Sequence, residues 1–299
     1  LDGAGNLLGA DRSDHVVRRV DAGTGIVTTV IGTAGARGFF GDGGPAAAAQ
    51  LNSPAGLAVD AFGSLFIADA ANHAIRKVDG GSGIISTVAG DGTQGFNGDG
   101  IAVAVQLDSP SAVAVDGAGN LFLIDQAGYM IRRVDSAGNL TTILQSPTGI
   151  NQPSSIGVDG GGNLYIGDGG DQRVKRWDAV TQSLSLVAGG GAYCSGCMAT
   201  KTDVGAPNGV ALDGSCRVFI ADAAHFTLRR VDPALLTAAL SFSSTSPQFG
   251  QILTVVLTVT NTGNAAATGV VPTLTVTGAA GVLQPLSGPL PAGPFVLAV

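Results

Sequence analysis

Residues 65–79 read LFIADAANHAIRKVD, and this stretch decides the fold because it recurs along the chain. Each copy has an apolar run that ends in Asp, then a basic pair, one further apolar residue and a second Asp. The other copies are LLGADRSDHVVRRVD (7–21), LFLIDQAGYMIRRVD (121–135), LYIGDGGDQRVKRWD (164–178) and VFIADAAHFTLRRVD (218–232). Such internal repetition has to be interpreted before any single residue, because it determines the architecture.

Further strand-like runs flank these copies and complete a larger unit. Upstream of four of them lies a Pro followed by a short apolar run that ends in Asp; these runs are PAGLAVD, PSAVAVD, PSSIGVD and PNGVALD, ending at Asp60, Asp116, Asp159 and Asp213. The first copy enters only at LD, with Asp2, and Thr/Val-rich runs such as GIISTVAG follow most copies. Four short strands per unit predict an all-β protein in which each unit is one β-propeller blade.

The motifs resemble those of a known family. P-x-G-[LV]-A-V-D, G-N-L-[FY]-I-A-D and N-H-x-I-R-K-V-D are similar to NHL repeats, and the similarity covers about residues 1–232. The linking segments FFGDGGPAAAAQLNSP (39–54) and GFNGDGIAVAVQLDSP (95–110) resemble those of bacterial NHL proteins. The resemblance implies a six-bladed propeller. Five blades are visible, the first without its inner strand and the fifth without a convincing fourth, so we expect part of a larger ring.

The expected domains follow from these repeats and from a change in composition. We predict a propeller over residues 1–235, with blades near 1–50, 51–107, 108–147, 148–203 and 204–235. Residues 233–299 contain no charged residue and no His, and they alternate Thr with Val and Leu before an NTGN turn. This pattern predicts strands. It resembles the Ig-like repeat modules that follow propellers in bacterial surface proteins, so residues 236–299 are expected to form an incomplete Ig-like β-sandwich.

Charge and hydropathy exclude some classes of partner. The net charge of −7 disfavours nucleic acid, whose affinity for proteins comes largely from Lys and Arg. No segment has the unbroken apolar run of about 18 residues that a membrane-spanning helix needs, so no membrane insertion is expected. All 22 acidic residues are Asp, a turn former, which indicates strands joined by loops. The sequence leaves the oligomeric state open.

Most ionisable residues belong to the repeat itself, which argues for a structural role. A residue needed for one reaction has no reason to recur in five blades, whereas a strand-end carboxylate paired with a nearby cation does. The predicted structural positions are Asp11, Asp69, Asp125, Asp168 and Asp222, with the cations Arg18, Arg76, Arg132, Lys175 and Arg229 seven residues later. Four residues after each Asp the side chain varies, as His15, His73, Tyr129, Gln172 and Phe226. That variety is typical of a partly buried position and not of a zinc site.

The loops between blades carry the candidate binding residues. Asp42 in GDGG and Asp99 in NGDG occupy matching loop positions. Calcium ligation is one interpretation, and an Asx-type turn with Gly supplying positive φ is the favoured one. The predicted contact surface, which could instead pack against a neighbouring blade, comprises Arg37, Phe39, Phe40, Asp42, Phe96, Asn97, Asp99 and Tyr193. The sequence indicates no resident cofactor, with calcium as the alternative.

Three cysteines lie near one another in the sequence, at Cys194, Cys197 and Cys216. Cys216 follows an inner strand of about six residues, which would place it about 20 Å from the other two at strand rise. A disulfide needs Cα atoms within about 7 Å, so a Cys194–Cys197 bridge in a secreted protein is the first choice. Free thiols come next, and a bridge to Cys216 is the least favoured.

These observations favour a non-catalytic binding or scaffold module of a secreted or cell-surface bacterial protein, recognising a protein or a glycan through the propeller loops. The alternative is a propeller hydrolase or lyase with a metal in the central channel, which the small Ala, Gly and Ser residues of the inner strands would leave fairly open. The absence of Glu and the presence of only three His weigh against that class. A third hypothesis is a spacer without separable activity.

Overall fold

The computed structural model describes residues 1–126, 128–191 and 199–232, together with the backbone of three later strands. Within those ranges the regular structure is β, apart from 3₁₀ helices of three residues at Ala46–Ala48, Ala70–Asn72, Ala102–Ala104 and Ala199–Lys201. None of the helices in this described part could cross a membrane, since all are too short and insufficiently apolar. The predicted all-β class is confirmed.

Each copy of the repeat forms one antiparallel sheet, here called a blade, in which the strands pair in sequence order, apart from a two-residue strand at Gly100–Ile101 that is added to the outer edge of one sheet. Blade 1 contains β1 (Leu7–Asp11), β2 (Val16–Val20) and β3 (Val27–Ile31). Blade 2 contains β4 (Pro54–Val59), β5 (Leu65–Asp69), β6 (Ala74–Val78) and β7 (Ile85–Ala89). Blade 3 contains β8 (Gly100–Ile101), β9 (Ala112–Val115), β10 (Leu121–Asp125), β11 (Met130–Val134) and β12 (Asn139–Gln145).

The last two blades follow the same plan. Blade 4 contains β13 (Pro153–Val158), β14 (Leu164–Asp168), β15 (Arg173–Trp177) and β16 (Leu184–Gly189). Blade 5 contains β17 (Pro207–Leu212), β18 (Val218–Asp222) and β19 (Thr227–Val231). The inner strands β4, β9, β13 and β17 lie side by side in that order. The described residues therefore form a five-bladed propeller, in which the first and last blades have three strands each.

The hydrophobic core lies between consecutive blades. Every residue of β5, β10 and β14 is buried, because these strands are covered by a neighbouring blade on each face of the sheet. Between blades 3 and 4, for example, Phe122 and Ile124 pack with Ile166 and Trp177. Equivalent clusters join the other adjacent blades. Stacking of the repeats therefore produces the core, as expected for a repeat protein.

Each inner strand is joined to the next strand by a turn whose sequence is D-x-x-G-N or a close variant. In blade 3, Oδ1 of Asp116 accepts hydrogen bonds from the N–H groups of Ala118 (3.0 Å) and Asn120 (2.8 Å). Gly119 adopts a φ of 81°, which a Gly accepts without strain. These turns, with the turns that lead to the outer strands, form one face of the propeller, here called the turn face.

The long interblade segments lie on the opposite side, here called the loop face. The segments 32–53 and 90–111 first run outward to the outer strand of the next blade and then return to its inner strand. The N–H of Gly43 donates to the carbonyl of Ile85 (2.9 Å) in β7, and β8 pairs with β12 in the same way. The outer edges of blades 2 and 3 are thereby covered, which protects them from pairing with other chains.

Beyond the propeller, β20 (Leu236–Phe242), β21 (Thr254–Asn261) and β22 (Phe295–Ala298) form an antiparallel three-stranded sheet in that order. This backbone agrees with the strands expected from the Thr/Val alternation. The Ig-like sandwich over residues 236–299 and the sixth blade of the ring stay predictions.

Candidate functional site

The loop face places a buried cation between two carboxylates in blade 2. Arg76 and Asp69 are each 0% exposed, and Nη1 of Arg76 lies 3.4 Å from Oδ2 of Asp69. Nη2 of the same guanidinium lies 2.5 Å from Oδ1 of Asp42 in the incoming loop. It also donates to the carbonyl oxygen of Phe40 (3.4 Å), and the ring of Phe39 covers it at 5.0 Å from Cζ to centroid. One buried charge therefore anchors both the hairpin and the loop.

Blade 3 repeats this arrangement. Arg132, also fully buried, lies 3.2 Å from Oδ2 of Asp125 and 3.4 Å from Oδ1 of Asp99. Nη2 donates to the carbonyl oxygen of Gly98 (2.5 Å), and the ring of Phe96 lies 5.1 Å from Cζ of Arg132. The two loops therefore match in structure as well as in sequence. Short-range periodicity in the sequence does not predict the contact between the loop carboxylate and the buried arginine.

Asp42 and Asp99 have a different role from the Asx-type turn that the sequence favoured. In addition to pairing with their arginines, these carboxylates accept hydrogen bonds from the N–H groups of Thr87 (3.0 Å) and Thr142 (3.0 Å) in the outer strands. Hydrogen bonding to these threonines and arginines outweighs burial and holds both carboxyl pKa values below the usual range. Neither lies in a group of three His, Cys, Asp or Glu able to hold a metal, since the described residues contain no such group.

In blades 1 and 4 the second carboxylate comes from the hairpin itself. Arg18 pairs with Asp11 at 2.8 Å and with Asp14, and Lys175 pairs with Asp168 at 2.8 Å and with Asp171. The spacing of three residues between the two carboxylates is the sequence signal for this variant. It is absent from blades 2 and 3, where the loop supplies the second carboxylate.

Blade 5 uses a histidine beside its cation. Arg229 lies 2.7 Å from Oδ2 of Asp222, and Nδ1 of His225 lies 2.9 Å from the same oxygen. Nε2 of His225 lies 3.4 Å from Oδ2 of Asp203. Burial alone would raise the pKa of Asp222, but the hydrogen bonds and charges of His225 and Arg229 lower it overall.

Burial is the largest influence on the pKa of two strand-end carboxylates, Asp69 and Asp168, and it raises both values. Loss of solvent raises the pKa of Asp69 to about 6, against hydrogen bonds from the Asn52 N–H and the Asn72 side chain and the charge of Arg76. Burial also raises the pKa of Asp168, against hydrogen bonds from Lys175 and Asn151. A perturbed carboxyl pKa can mark a catalytic site. Here an Asp–cation pair recurs in every blade, which points to a structural cause.

The predicted contact surface divides into residues that hold the loops and residues that face solvent. Asn97 holds its loop, because Oδ1 accepts from the Gln106 N–H (2.8 Å) and Nδ2 donates to the Ala104 carbonyl (3.2 Å). Phe39 and Phe96 are 45% and 50% exposed beside their arginines. Phe40 is 71% exposed, and Arg37 is exposed as well. Tyr193, Cys194 and Cys197 lie outside the described residues, and Cys216 is an exposed free thiol.

Two histidines that the sequence left without a role connect neighbouring blades. Nδ1 of His15 accepts a hydrogen bond from the N–H of Ser53 (3.0 Å), and Nδ1 of His73 accepts one from the N–H of Ser109 (3.1 Å). Both histidines adopt left-handed φ values, 59° and 53°, which turn the ring toward the next blade. In both cases a His is followed 36 to 38 residues later by Ser-Pro. This spacing is the sequence signal that could have revealed the contacts.

The small residues of the inner strands let neighbouring inner strands approach closely. A Cβ added to Gly56 would lie 2.7 Å from Cα of Ala112 in the neighbouring inner strand. Between blades 4 and 5, Oγ of Ser154 donates to the carbonyl oxygen of Pro207 (2.6 Å). Side-chain volume is therefore missing where two inner backbones approach closely, and the expectation of a fairly open central channel stays a prediction.

Comparison with known proteins identifies sequences that are similar to parts of this chain. Residues 33–99 match the family described as the Teneurin NHL domain. Protein SUPPRESSOR OF QUENCHING 1, chloroplastic, from Arabidopsis thaliana is 35% identical over 97 residues, which are 32% of this chain and 9% of that protein. The chain thus spans only a small part of this curated relative's length.

Solved structures share the fold at low sequence identity. A chain in the crystal structure of a nidogen/laminin complex has a TM-score of 0.53 and 17% identity, covering 84% of this chain and 88% of that one. A gluconolactonase from Xanthomonas campestris has a TM-score of 0.52 and 17% identity, covering 74% of this chain and 66% of that one. The blades, their repeated Asp–cation pairs and these comparisons agree that the chain is an all-β propeller, in which residues 33–99 match an NHL family model.

Proposed function

We propose that this propeller is a non-catalytic binding module that contacts a protein partner through its loop face. The observation that carries the proposal is the presentation of Phe40. Phe40 is 71% exposed, while its backbone carbonyl accepts hydrogen bonds from Arg76 (3.4 Å) and from the Gln50 N–H (3.1 Å). An aromatic ring held out on a fixed backbone loses little entropy on binding, which suits an interface anchor.

The surroundings of Phe40 have the composition of a protein interface. Phe39 is half exposed and already stacked on the Arg76 guanidinium, and Arg37 is exposed in the same loop. Aromatic residues and Arg are enriched at protein interfaces. The structural neighbour from the nidogen/laminin complex supports a protein as partner, because that propeller was solved in a protein complex. A glycan partner on the same loops is the other form of this proposal.

The proposal also covers the kind of protein that contains the propeller and the rest of its architecture. The segments 39–54 and 95–110 resemble the linkers of bacterial NHL proteins, which supports a secreted or cell-surface bacterial protein. A six-bladed ring and an Ig-like module over residues 236–299 complete the proposed architecture. The spacer hypothesis differs from it in requiring no partner on the loop face.

A propeller hydrolase or lyase with a channel metal is the second candidate. The gluconolactonase neighbour, with a TM-score of 0.52, is the observation in its favour. The absence of Glu and the small number of His in the sequence favour the binding module instead. Elemental analysis of the purified protein separates the two, because a stoichiometric metal would contradict the non-catalytic reading. Stoichiometric calcium would restore the calcium interpretation of the loops.

A peptide selection tests the proposed binding face. A phage-displayed random peptide library is selected on the purified chain, and the enriched peptides are measured against Phe40→Ser and Phe62→Ser. Phe62 is a matched control because it is 86% exposed but lies in a turn of the turn face. We expect Phe40→Ser to weaken binding roughly tenfold or more, as loss of an interface anchor does, and Phe62→Ser to leave it unchanged. The absence of enriched peptides, or equal binding to both variants, would contradict the proposal.

A further inference from the structure

A cleft of about 310 Å³ opens on the turn face between blades 3 and 4. It is distinct from the loop face, since its walls are the turns that follow the inner strands of the two blades. The residues that bound it from blade 3 are Asp116, Gly117, Ala118, Asn120, Phe122 and Arg133, and those from blade 4 are Gly160, Gly161, Gly162, Trp177 and Ala179. Its volume lies at the lower end of the range for small-molecule sites, about 300–1,000 Å³.

The floor of the cleft is aromatic and differs from the other blade interfaces. Phe122 is 2% exposed and Trp177 is 7% exposed, so both rings are held by the core. Trp177 occupies the repeat position that carries valine in the other four blades, at Val20, Val78, Val134 and Val231. It is also the only Trp of the chain. The aromatic floor therefore belongs to this interface and is not a general property of the repeat.

The polar wall on blade 3 offers both a hydrogen-bond donor and an acceptor. Nη2 of Arg133 donates to Oδ1 of Asn120 (2.8 Å), whereas its Nε is buried without a hydrogen-bond partner among the described residues. Oδ2 of Asp116 accepts from Nδ2 of Asn120 (2.7 Å) and retains capacity for a second donor. That oxygen faces the opposite blade, because a Cβ added to Gly162 would lie 3.8 Å from it.

The mouth is open because the turn of blade 4 carries no side chains between Asp159 and Asn163. Residues 160–162 are all Gly, whereas the middle position of the same turn is Phe62 in blade 2 and Ser215 in blade 5. A Cβ added to Gly160 would meet no atom within 4 Å. A ligand can therefore enter from solvent without displacing protein atoms at this rim.

Charge decides the class of ligand. Arg133 and Asp116 both line the cleft and are linked through the side chain of Asn120. Arg133 also interacts with Asp135, whose pKa the hydrogen bonds of Asn139 chiefly lower and the charge of Arg133 lowers further. Two carboxylates near one cation disfavour an anion, and the cation disfavours a positively charged ligand. We propose that the cleft binds a neutral polyhydroxylated molecule of monosaccharide size. Its hydroxyls accept from Arg133 and donate to Asp116, and its less polar face lies against Trp177.

Trp177 provides the assay, because it is the only Trp of the chain and lines the cleft, so that tryptophan fluorescence reports on this residue. The purified chain is titrated with glucose, galactose, mannose, N-acetylglucosamine and myo-inositol, and with glucuronate as the anionic comparison. We expect a saturable fluorescence change with at least one neutral probe and a weaker response to glucuronate. No saturable change with any probe up to about 100 mM, a range that includes weak sugar binding, would overturn the proposal, and so would tighter binding of glucuronate.

Variants on both walls locate the binding. Arg133→Gln removes the donors of blade 3, and Gly160→Leu fills the mouth from blade 4. Each is expected to raise the Kd roughly tenfold, the effect of losing about 1.4 kcal/mol. Arg230→Gln is the matched control, because Arg230 pairs with Phe219 in blade 5 in the register in which Arg133 pairs with Phe122. If all three variants bind as the wild type does while keeping its Tm, the cleft is not the site and the proposal fails.

Discussion

Nη2 of the buried Arg76 lies 2.5 Å from Oδ1 of Asp42, a residue 34 positions earlier in the loop that enters blade 2. The same guanidinium reaches Asp69 at the end of β5 at 3.4 Å. A single cation therefore joins a local hairpin to a distant loop. The two carboxylates differ in environment, because Asp69 is fully buried and the side chain of Asp42 is 47% exposed.

This difference predicts unequal costs for removing the two carboxylates. Asp69→Ala leaves a buried guanidinium without its internal partner, and we expect the free energy of unfolding to fall by about 3 kcal/mol. Asp42→Ala removes a partly exposed pair, with an expected loss of about 1 kcal/mol. Urea unfolding measures both, with Asp91→Ala, an exposed loop carboxylate, as the control. Loss of a specific binding activity in Asp69→Ala without loss of stability would contradict the structural role.

The raised pKa of Asp69 predicts a pH dependence of stability with a definite sign. Its pKa is about 6 in the folded protein and 3.8 without these surroundings, so the folded state holds this proton more tightly. Its contribution to stability is therefore greatest below pH 3.8 and is lost as the pH rises through about 6. The difference of roughly two pKa units corresponds to about 3 kcal/mol.

The measurement compares the wild type with Asp69→Asn, which cannot titrate. This comparison is needed because the pKa values of Asp42 and Asp99 are lowered, so their stabilising effect is lost as the pH falls. Between about pH 4 and pH 7 we expect the stability of the wild type relative to Asp69→Asn to decrease. A relative stability that stays constant or increases would show that burial does not control the pKa of Asp69.

The interblade hydrogen bond of His73 predicts a local weakening when the acceptor is removed. His73→Phe suits the test because Phe226 occupies the same repeat position with the same φ of 53°. The N–H of Ser109 loses its acceptor, at a cost of about 2 kcal/mol. Amide hydrogen exchange at Ser109 should accelerate. Gln172→Phe, where the described residues show no such bond to the next blade, is the control; similar losses in both variants would rule out a specific role for His73.

The close approach of the inner strands predicts that Gly56 cannot be replaced without strain. In Gly56→Ala, the new Cβ lies 2.7 Å from Cα of Ala112 and 3.0 Å from the carbonyl oxygen of Ser111, so backbone atoms must move. We expect a loss of about 2 kcal/mol in the free energy of unfolding. Gly117→Ala is the control because its Cβ meets no atom within 4 Å. Equal Tm values for the two variants would show that blades 2 and 3 are free to separate.

Strand order and the pairing within each blade could be predicted from sequence. Asp69 and Arg76 are seven residues apart on two strands joined by a tight turn, and an antiparallel hairpin brings such positions to one end of the sheet. The Asp and Gly residues of the turns that follow the inner strands have equally local requirements, as at Asp116 and Gly119. Repetition strengthens each of these signals, because five copies must satisfy the same short-range constraints.

The contacts between blades needed the tertiary structure. Nothing in GDGG indicates that Asp42 binds Arg76, because the loop first runs to the outer strand of the next blade before returning. His73 binds Ser109, and Trp177 lines the same cleft as Arg133, for the same reason: these residues are far apart in sequence and come together only after the blades stack. The sequence by itself determined the blade and its charged hairpin, through alternation, turn chemistry and repetition. The stacking of the blades decided which carboxylates neutralise the buried arginines, which rings face solvent and where a cleft opens.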